Sequence, residues 1–72
     1  MQQAGEERFE AACEDVVERI LAGEVGREDV EQAKLAACGR HSAPKVPTNS
    51  ELLDFAPEGE RETLETVLRR KP

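Results

Sequence analysis

Aromatic residues are almost absent from this sequence of 72 residues, which has two phenylalanines, Phe9 and Phe55, and neither tryptophan nor tyrosine. Large flat side chains are what proteins use to stack on nucleic-acid bases and to anchor interfaces. The composition therefore provides no tryptophan or tyrosine for a base-stacking platform or an interface anchor. A chain this short buries only about 60% of the surface that its unfolded form exposes, so we expect one domain with a thin core.

Long apolar runs and targeting signals are missing as well. Residues 1–7 contain no basic region followed by an apolar stretch, so they do not have the pattern of a signal peptide. No apolar run approaches the ~20 residues that a membrane-spanning helix needs. We therefore expect a cytoplasmic chain that is monomeric and has no membrane partner.

Motifs for catalysis and for metal binding are also lacking. The single histidine, His41, has no serine or cysteine partner at a recognisable spacing and is expected to complement a helix end. The two cysteines, Cys13 and Cys38, form no CxxC pair, and we interpret them as small buried thiols rather than a disulfide or a ligand pair. The sequence therefore predicts no catalytic residue, no metal site and no cofactor of its own.

Apolar residues recur at spacings of three and four, and this period predicts an all-α fold, a small bundle of three to four helices. Residues 1–5 are expected to be a disordered tail, and residues 6–72 to form a single helical domain. The predicted helices cover residues 6–22, 27–40, 49–55 and 57–70. Gly23 should end the first helix, Thr48 and Glu51 have the spacing of a capping box, and Pro57 fits the first position of the last helix.

The apolar stripes of these helices also predict a core. We expect one set of side chains to be buried together: Phe9, Val16, Ile20, Val30, Leu53, Leu64 and Leu68. In the second helix the stripe consists of Val30, Ala33 and Ala37, and we expect Leu35 and Cys38 to widen it.

Charge is distributed unevenly along the chain. Sixteen acidic residues outnumber ten basic ones, for a net charge of −6, which either reflects a high-salt host or is ordinary acidic drift. Residues 32–50 contain no acid at all, whereas residues 1–31 contain ten and residues 51–65 contain six. The candidate phosphate-binding residues are Lys34, Arg40, His41, Lys45, Arg69, Arg70 and Lys71. Charge alone favours a simpler interpretation, in which the arginines complement the C-terminal ends of helices.

Three stretches carry a resemblance to a known family: residues 45–53 (KVPTNSELL), residues 60–62 (ERE) and residues 67–72 (VLRRKP). Together with VEQAK at residues 30–34 and with Cys38, they resemble the N-terminal domain of the catalytic subunit of Elongator in its archaeal form. The resemblance covers roughly residues 9–72. The sequence departs from the family at the end of the second helix, where His41 and Ser42 replace an aromatic residue followed by glycine.

The resemblance implies a function for the protein that carries this domain. Enzymes of the family modify the wobble uridine of tRNA and join a radical S-adenosylmethionine domain to an acetyl-CoA-binding acetyltransferase domain. The first of these holds an iron–sulfur cluster on three cysteines. The resemblance places the iron–sulfur cluster, S-adenosylmethionine and acetyl-CoA beyond Pro72 in the full-length enzyme, and it associates the N-terminal segment with tRNA.

Two hypotheses for this chain follow. It is either a non-catalytic tRNA-binding accessory domain or a helical interaction module that docks on its own radical S-adenosylmethionine and acetyltransferase domains or on a partner subunit. The first hypothesis expects Lys34, Arg40, Lys45 and residues 69–71 on one shared face. The second expects an exposed apolar patch at Leu52, Leu53 and Phe55.

The chain should be inert as an enzyme, because it lacks a nucleophile–base pair and a metal-ligand set. Incubation with acetyl-CoA, S-adenosylmethionine and tRNA should leave all three unchanged relative to a buffer control. Turnover of any of the three above that control would contradict the prediction.

Overall fold

The computed structural model describes residues 3–69, which form four α-helices. They are α1 (Gln3–Leu21), α2 (Val30–His41), α3 (Asn49–Asp54) and α4 (Arg61–Arg69). Single turns of 3₁₀-helix at Arg27–Asp29 and Glu58–Glu60 lead into α2 and α4. No strand occurs in the described part of the chain, so the predicted all-α bundle is confirmed. Over the same residues no helix combines the length and the apolar character that crossing a membrane requires.

The start of α1 differs from the sequence prediction, whereas its end agrees with it. The helix begins at Gln3 and not at Glu6, so residues 3–5 are helical and do not belong to the predicted tail. Met1 and Gln2 lie outside the described residues. At the other end Gly23 has φ +82°, in the left-handed region that favours glycine. Its N–H donates to the Ile20 carbonyl, and the Glu24 N–H donates to the Arg19 carbonyl, which together make a Schellman cap.

The end of α2 is built without glycine. Ser42 adopts the left-handed conformation at φ 55°, and its N–H donates to the Cys38 carbonyl. Gly39 lies inside the helix and does not supply the left-handed residue. The helix therefore continues one residue beyond the predicted end at Arg40, which places His41 in its last turn.

The starts of α3 and α4 follow local side-chain chemistry. The capping box is confirmed, since the Thr48 hydroxyl accepts a hydrogen bond from the Glu51 N–H and the Glu51 carboxylate accepts one from the Thr48 N–H. Pro57 does not occupy the position that the sequence predicts for it. It precedes the 3₁₀ turn as its N-cap rather than occupying the first helical position, and α4 itself starts at Arg61.

The core lies on one face of α1, against which α2, α3 and α4 all pack. Its buried members are small or aliphatic: Ala12, Cys13, Val16, Val17, Ile20, Val30, Ala37, Leu52 and Leu64. Four of the seven predicted core residues are among them. Phe9, Leu53 and Leu68 are half-buried and pack at the edge of the core.

Lys34 and Leu35, neighbours on α2, have the opposite burial to the one that the sequence predicts. The prediction that Leu35 widens the apolar stripe is wrong, because Leu35 is 58% exposed. Lys34, which is predicted to lie at the surface, is only 4% exposed. The physical reason is the helical period, since Lys34 lies one turn from Val30 and one turn from Ala37, and the next residue points about 100° away from it.

Leu64→Ala should lower the free energy of unfolding by ~2–5 kcal/mol, because Leu64 is completely buried and its truncation leaves a cavity. The matched control is Leu35→Ala, the same chemical change at an exposed position, which should stay within about 0.5 kcal/mol of the parent. Urea unfolding with a constant slope measures both. Equal losses of stability at the two positions would contradict the described packing.

Candidate functional site

The acid-free segment of the sequence becomes a continuous region of the fold. It comprises most of α2, the linker of residues 42–48 and the start of α3. Two hydrogen bonds hold the linker back along α2: the Cys38 thiol donates to the Lys45 carbonyl at 3.1 Å, and Lys34 Nζ donates to Asn49 Oδ1 at 2.7 Å. We call the exposed residues between Gln32 and Ser50 the acid-free surface.

Arg40 and His41, at the end of α2, meet a single carboxylate on α1. Arg40 Nη2 lies 2.9 Å from Asp15 Oδ2, and His41 Nε2 lies 3.0 Å from the same oxygen. Arg19, one turn along α1, donates from Nε to Asp15 Oδ1 at 2.7 Å. Three basic side chains therefore surround Asp15 and join the C-terminal end of α2 to the middle of α1.

The basic groups govern the ionisation of Asp15, whose side chain is 16% exposed. Burial by itself raises the pKa of this carboxyl group, but the hydrogen bonds from Arg19, Arg40 and His41 together outweigh it and lower the pKa to about 2. Asp15 is thus ionised at neutral pH. Asp15 was not predicted from the sequence as a site residue, although its i,i+4 spacing from Arg19 is a recognisable helix ion-pair signal.

Lys45 lies in the linker and contacts two elements. Its Nζ is 3.1 Å from Glu51 Oε2 and 4.9 Å from the centroid of the Phe9 ring. The backbone hydrogen bond from Thr48 and the ion pair with Lys45 lower the pKa of Glu51. The Lys45 side chain is 62% exposed, and an ammonium group has three donors, so it retains donors that face solvent.

Lys34 is the one buried residue among the candidate phosphate-binding residues that the structure describes. Its Nζ donates to Glu31 Oε2 at 3.2 Å and to Asn49 Oδ1 at 2.7 Å. A buried ammonium group needs such partners, because leaving it unpaired away from water is costly. Lys34 therefore connects α2 to the start of α3 and is not accessible to a phosphate.

The C-terminal basic tract is described only at its first residue. Arg69 is exposed and donates from Nη1 to Glu65 Oε2 at 2.7 Å, within α4. Arg70 and Lys71 lie outside the described residues. The structure thus brings Arg40 and His41 together on Asp15, places Lys45 beside Phe9 and Glu51, and places Arg69 at the end of α4.

The prediction of a buried thiol is confirmed for Cys13 and not for Cys38. Cys13 is completely buried, and burial, followed by the nearby carboxylate of Glu51, raises its pKa to about 11, so the thiol stays protonated at neutral pH. Cys38 is half-buried and donates to a backbone carbonyl. Among residues 3–69 no group of three or more histidine, cysteine, aspartate or glutamate side chains is arranged to hold a metal ion.

One comparison with known proteins gives a match. The model of a protein family described as the ELP3 N-terminal domain matches residues 9–72, nearly the whole chain. No curated protein and no solved structure matches the sequence.

Asp15→Asn should lower the free energy of unfolding at pH 7 by about 1–2 kcal/mol, a range that allows for solvent screening at the exposed arginines. Because folding lowers the pKa of Asp15, the carboxylate contributes fully to stability above pH 3.8, the pKa of an unperturbed aspartate. That contribution is lost as the pH falls through about 2. The difference in unfolding free energy between parent and variant should therefore shrink towards zero between pH 4 and pH 2.

The matched control is Glu14→Gln, on the exposed side of the same helix turn, which should differ from the parent by less than about 0.5 kcal/mol at either pH. Chemical unfolding followed by circular dichroism measures both variants. A deficit of Asp15→Asn that stays constant down to pH 2 would show that the ion pairs are not its source.

Proposed function

The chain belongs to the family of the ELP3 N-terminal domain, and on that premise we propose that it is a non-catalytic, tRNA-binding part of an Elongator-type enzyme that modifies the wobble uridine of tRNA. The observation that carries the tRNA role is the acid-free surface. A chain of net charge −6 keeps 19 consecutive residues, 32–50, free of carboxylates. The segment itself presents no carboxylate to an RNA phosphate, and the neighbouring carboxylates of Asp15 and Glu51 are each paired with a base.

The basic side chains in and beside this surface support contact with phosphate rather than with bases. An arginine has five donors, and Arg40 commits two nitrogens, Nε and Nη2, to Asp15 while the rest of its guanidinium group remains free. Lys45 is exposed in the linker. The chain has no tryptophan or tyrosine to read a base by stacking, and Lys45 covers one side of the Phe9 ring. Binding is therefore expected to be electrostatic and independent of sequence.

The cofactors of such an enzyme belong to other domains of the protein. A cluster held on three cysteines does not fit this chain, which has two cysteines, one of them buried in the core. We therefore assign the iron–sulfur cluster, S-adenosylmethionine and acetyl-CoA to the radical S-adenosylmethionine and acetyltransferase domains of the cytoplasmic parent enzyme. Those domains are the proposed intramolecular partners of this one.

The docking alternative expects an exposed patch at residues that are buried or half-buried in the fold. It expects an apolar patch at Leu52, Leu53 and Phe55, but Leu52 is completely buried and the other two side chains are half-buried against the core. The large apolar residues that are exposed in the described part of the chain are Leu35 and Val46, both within the acid-free surface.

Replacement of Lys45, Arg69 and Arg70 with alanine in the intact enzyme should weaken tRNA binding at every tRNA sequence tested. Each phosphate that these residues no longer neutralise should make the slope of log affinity against log salt concentration shallower by ~0.7–0.9. The intact enzyme is the appropriate object, because tethering to a second RNA-binding surface raises the effective concentration to about millimolar. Filter binding or fluorescence anisotropy over a salt series measures both quantities.

A matched control removes three other bases that lie outside both basic tracts: Arg8, Arg27 and Arg61. This triple alanine variant changes the net charge by the same amount and should keep the parent's salt slope. If the two triple variants weaken tRNA binding equally, the effect is one of net charge, and the basic tracts do not contact tRNA.

A further inference from the structure

An apolar groove lies between α1 and the segment that joins α3 to α4. Its floor and walls are formed by Val17 and Leu21 on one side and by Phe55 and Pro57 on the other. The groove has a volume of about 190 Å³. An apolar cavity of about 150 Å³ takes up benzene, so the groove has room for one side chain of the size of leucine or phenylalanine.

The rim of this groove is acidic. Glu14 and Glu18 line it from α1, and Glu10 precedes them by one turn. Residues four apart lie on the same helix face, and like charges at that spacing destabilise a helix. All three are exposed, and no ion pair involves any of them within residues 3–69. A cationic ligand would relieve their mutual repulsion.

Charge decides which kind of partner fits the groove. RNA and anionic lipid headgroups would meet like charge at the rim. A second copy of this chain is also disfavoured, because each copy carries a net charge of −6. A positively charged protein segment is attracted, and the apolar floor offers it a place to bury one side chain. Glu14 and Glu18 are one helical turn apart, which is the spacing that a second helix presents with bases at i and i+4.

We propose that this groove docks a basic amphipathic helix of a protein partner. The helix inserts one large apolar side chain between Val17 and Phe55 and places lysine or arginine side chains one turn apart against Glu14 and Glu18. None of the proposed tRNA-binding residues lines the groove, although Arg40 and His41 line a neighbouring depression with Glu14 and Glu18. The inference is therefore independent of the proposed tRNA role, and each can fail without the other.

The test uses the ¹⁵N-labelled chain and a synthetic helical peptide, in which lysines spaced four residues apart flank a central leucine. Amide shifts should concentrate at Val17, Leu21 and Phe55 on titration. The Glu14→Gln, Glu18→Gln double variant should bind the peptide about three- to tenfold more weakly, as expected for two exposed charge pairs. Glu6→Gln with Glu7→Gln removes the same charge two turns away on α1 and should stay within about twofold of the parent.

A second peptide separates groove binding from plain charge attraction. Replacing its central leucine with serine keeps the charge and should abolish the localised shifts. The proposal is overturned if the serine peptide binds equally well, if both double variants weaken binding alike, or if the shifts fall outside the groove. Dilution of the free chain should leave its spectrum unchanged, since self-association through the groove would overturn it too. The Lys45, Arg69, Arg70 variant should bind the leucine peptide at least as tightly as the parent.

Discussion

The close approach of α1 and α2 is the constraint on which the rest of the structure depends. Ala12 and Cys13 on α1 and Ala37 on α2 are all completely buried, and small side chains at these positions let the two helices pack tightly in a chain that has few aromatic residues. The same approach brings the end of α2 to Asp15, where Arg40 and His41 bind. The same face of α1 also receives α3 and α4. A core of this size can thus be built from alanine, valine, cysteine, leucine and isoleucine, provided that all the other helices pack against one long helix.

Hydrogen bonds from polar groups fix the position of the linker, whereas burial of apolar side chains fixes the packing of the helices in the core. Residues 42–48 form no regular structure, yet their course is determined by the bond from Cys38 to the Lys45 carbonyl and by the bond from Lys34 to Asn49. Burial of Lys34 is tolerated because its ammonium group has two acceptors. The linker in turn presents Lys45 to solvent. The accessible part of the proposed tRNA-binding surface therefore depends on a lysine that cannot itself contact RNA.

Charge is segregated on the chain, so that two of its surfaces differ in charge. The two proposals assign these surfaces different partners. Residues 32–50 contain no carboxylate, and the bases Arg40 and Lys45 among them pair with Asp15 and Glu51, whereas Glu14 and Glu18 on α1 form an acidic rim without an ion pair among the described residues. Both surfaces include part of α1 or rest against it, since Asp15 holds Arg40 on one flank of the helix and Val17 lines the groove on another. The two proposals use different residues, although Arg40 and His41 line a depression next to the groove together with Glu14 and Glu18.

Local signals in the sequence determined the helices and several of their ends. The three- and four-residue period located all four helices, and Gly23 and the Thr48–Glu51 pair marked two boundaries. The KVPTNSELL and VLRRKP stretches together indicated the family. Only the tertiary structure decided that Lys34 is buried and that the adjacent Leu35 is exposed. It also decided that the Asp15 carboxylate contacts three basic side chains. The reason is physical. Helix period and capping depend on residues within a turn or two, whereas the face that each helix buries and the partner that each charge finds depend on how separate helices pack, at sequence separations such as the 25 residues between Asp15 and Arg40.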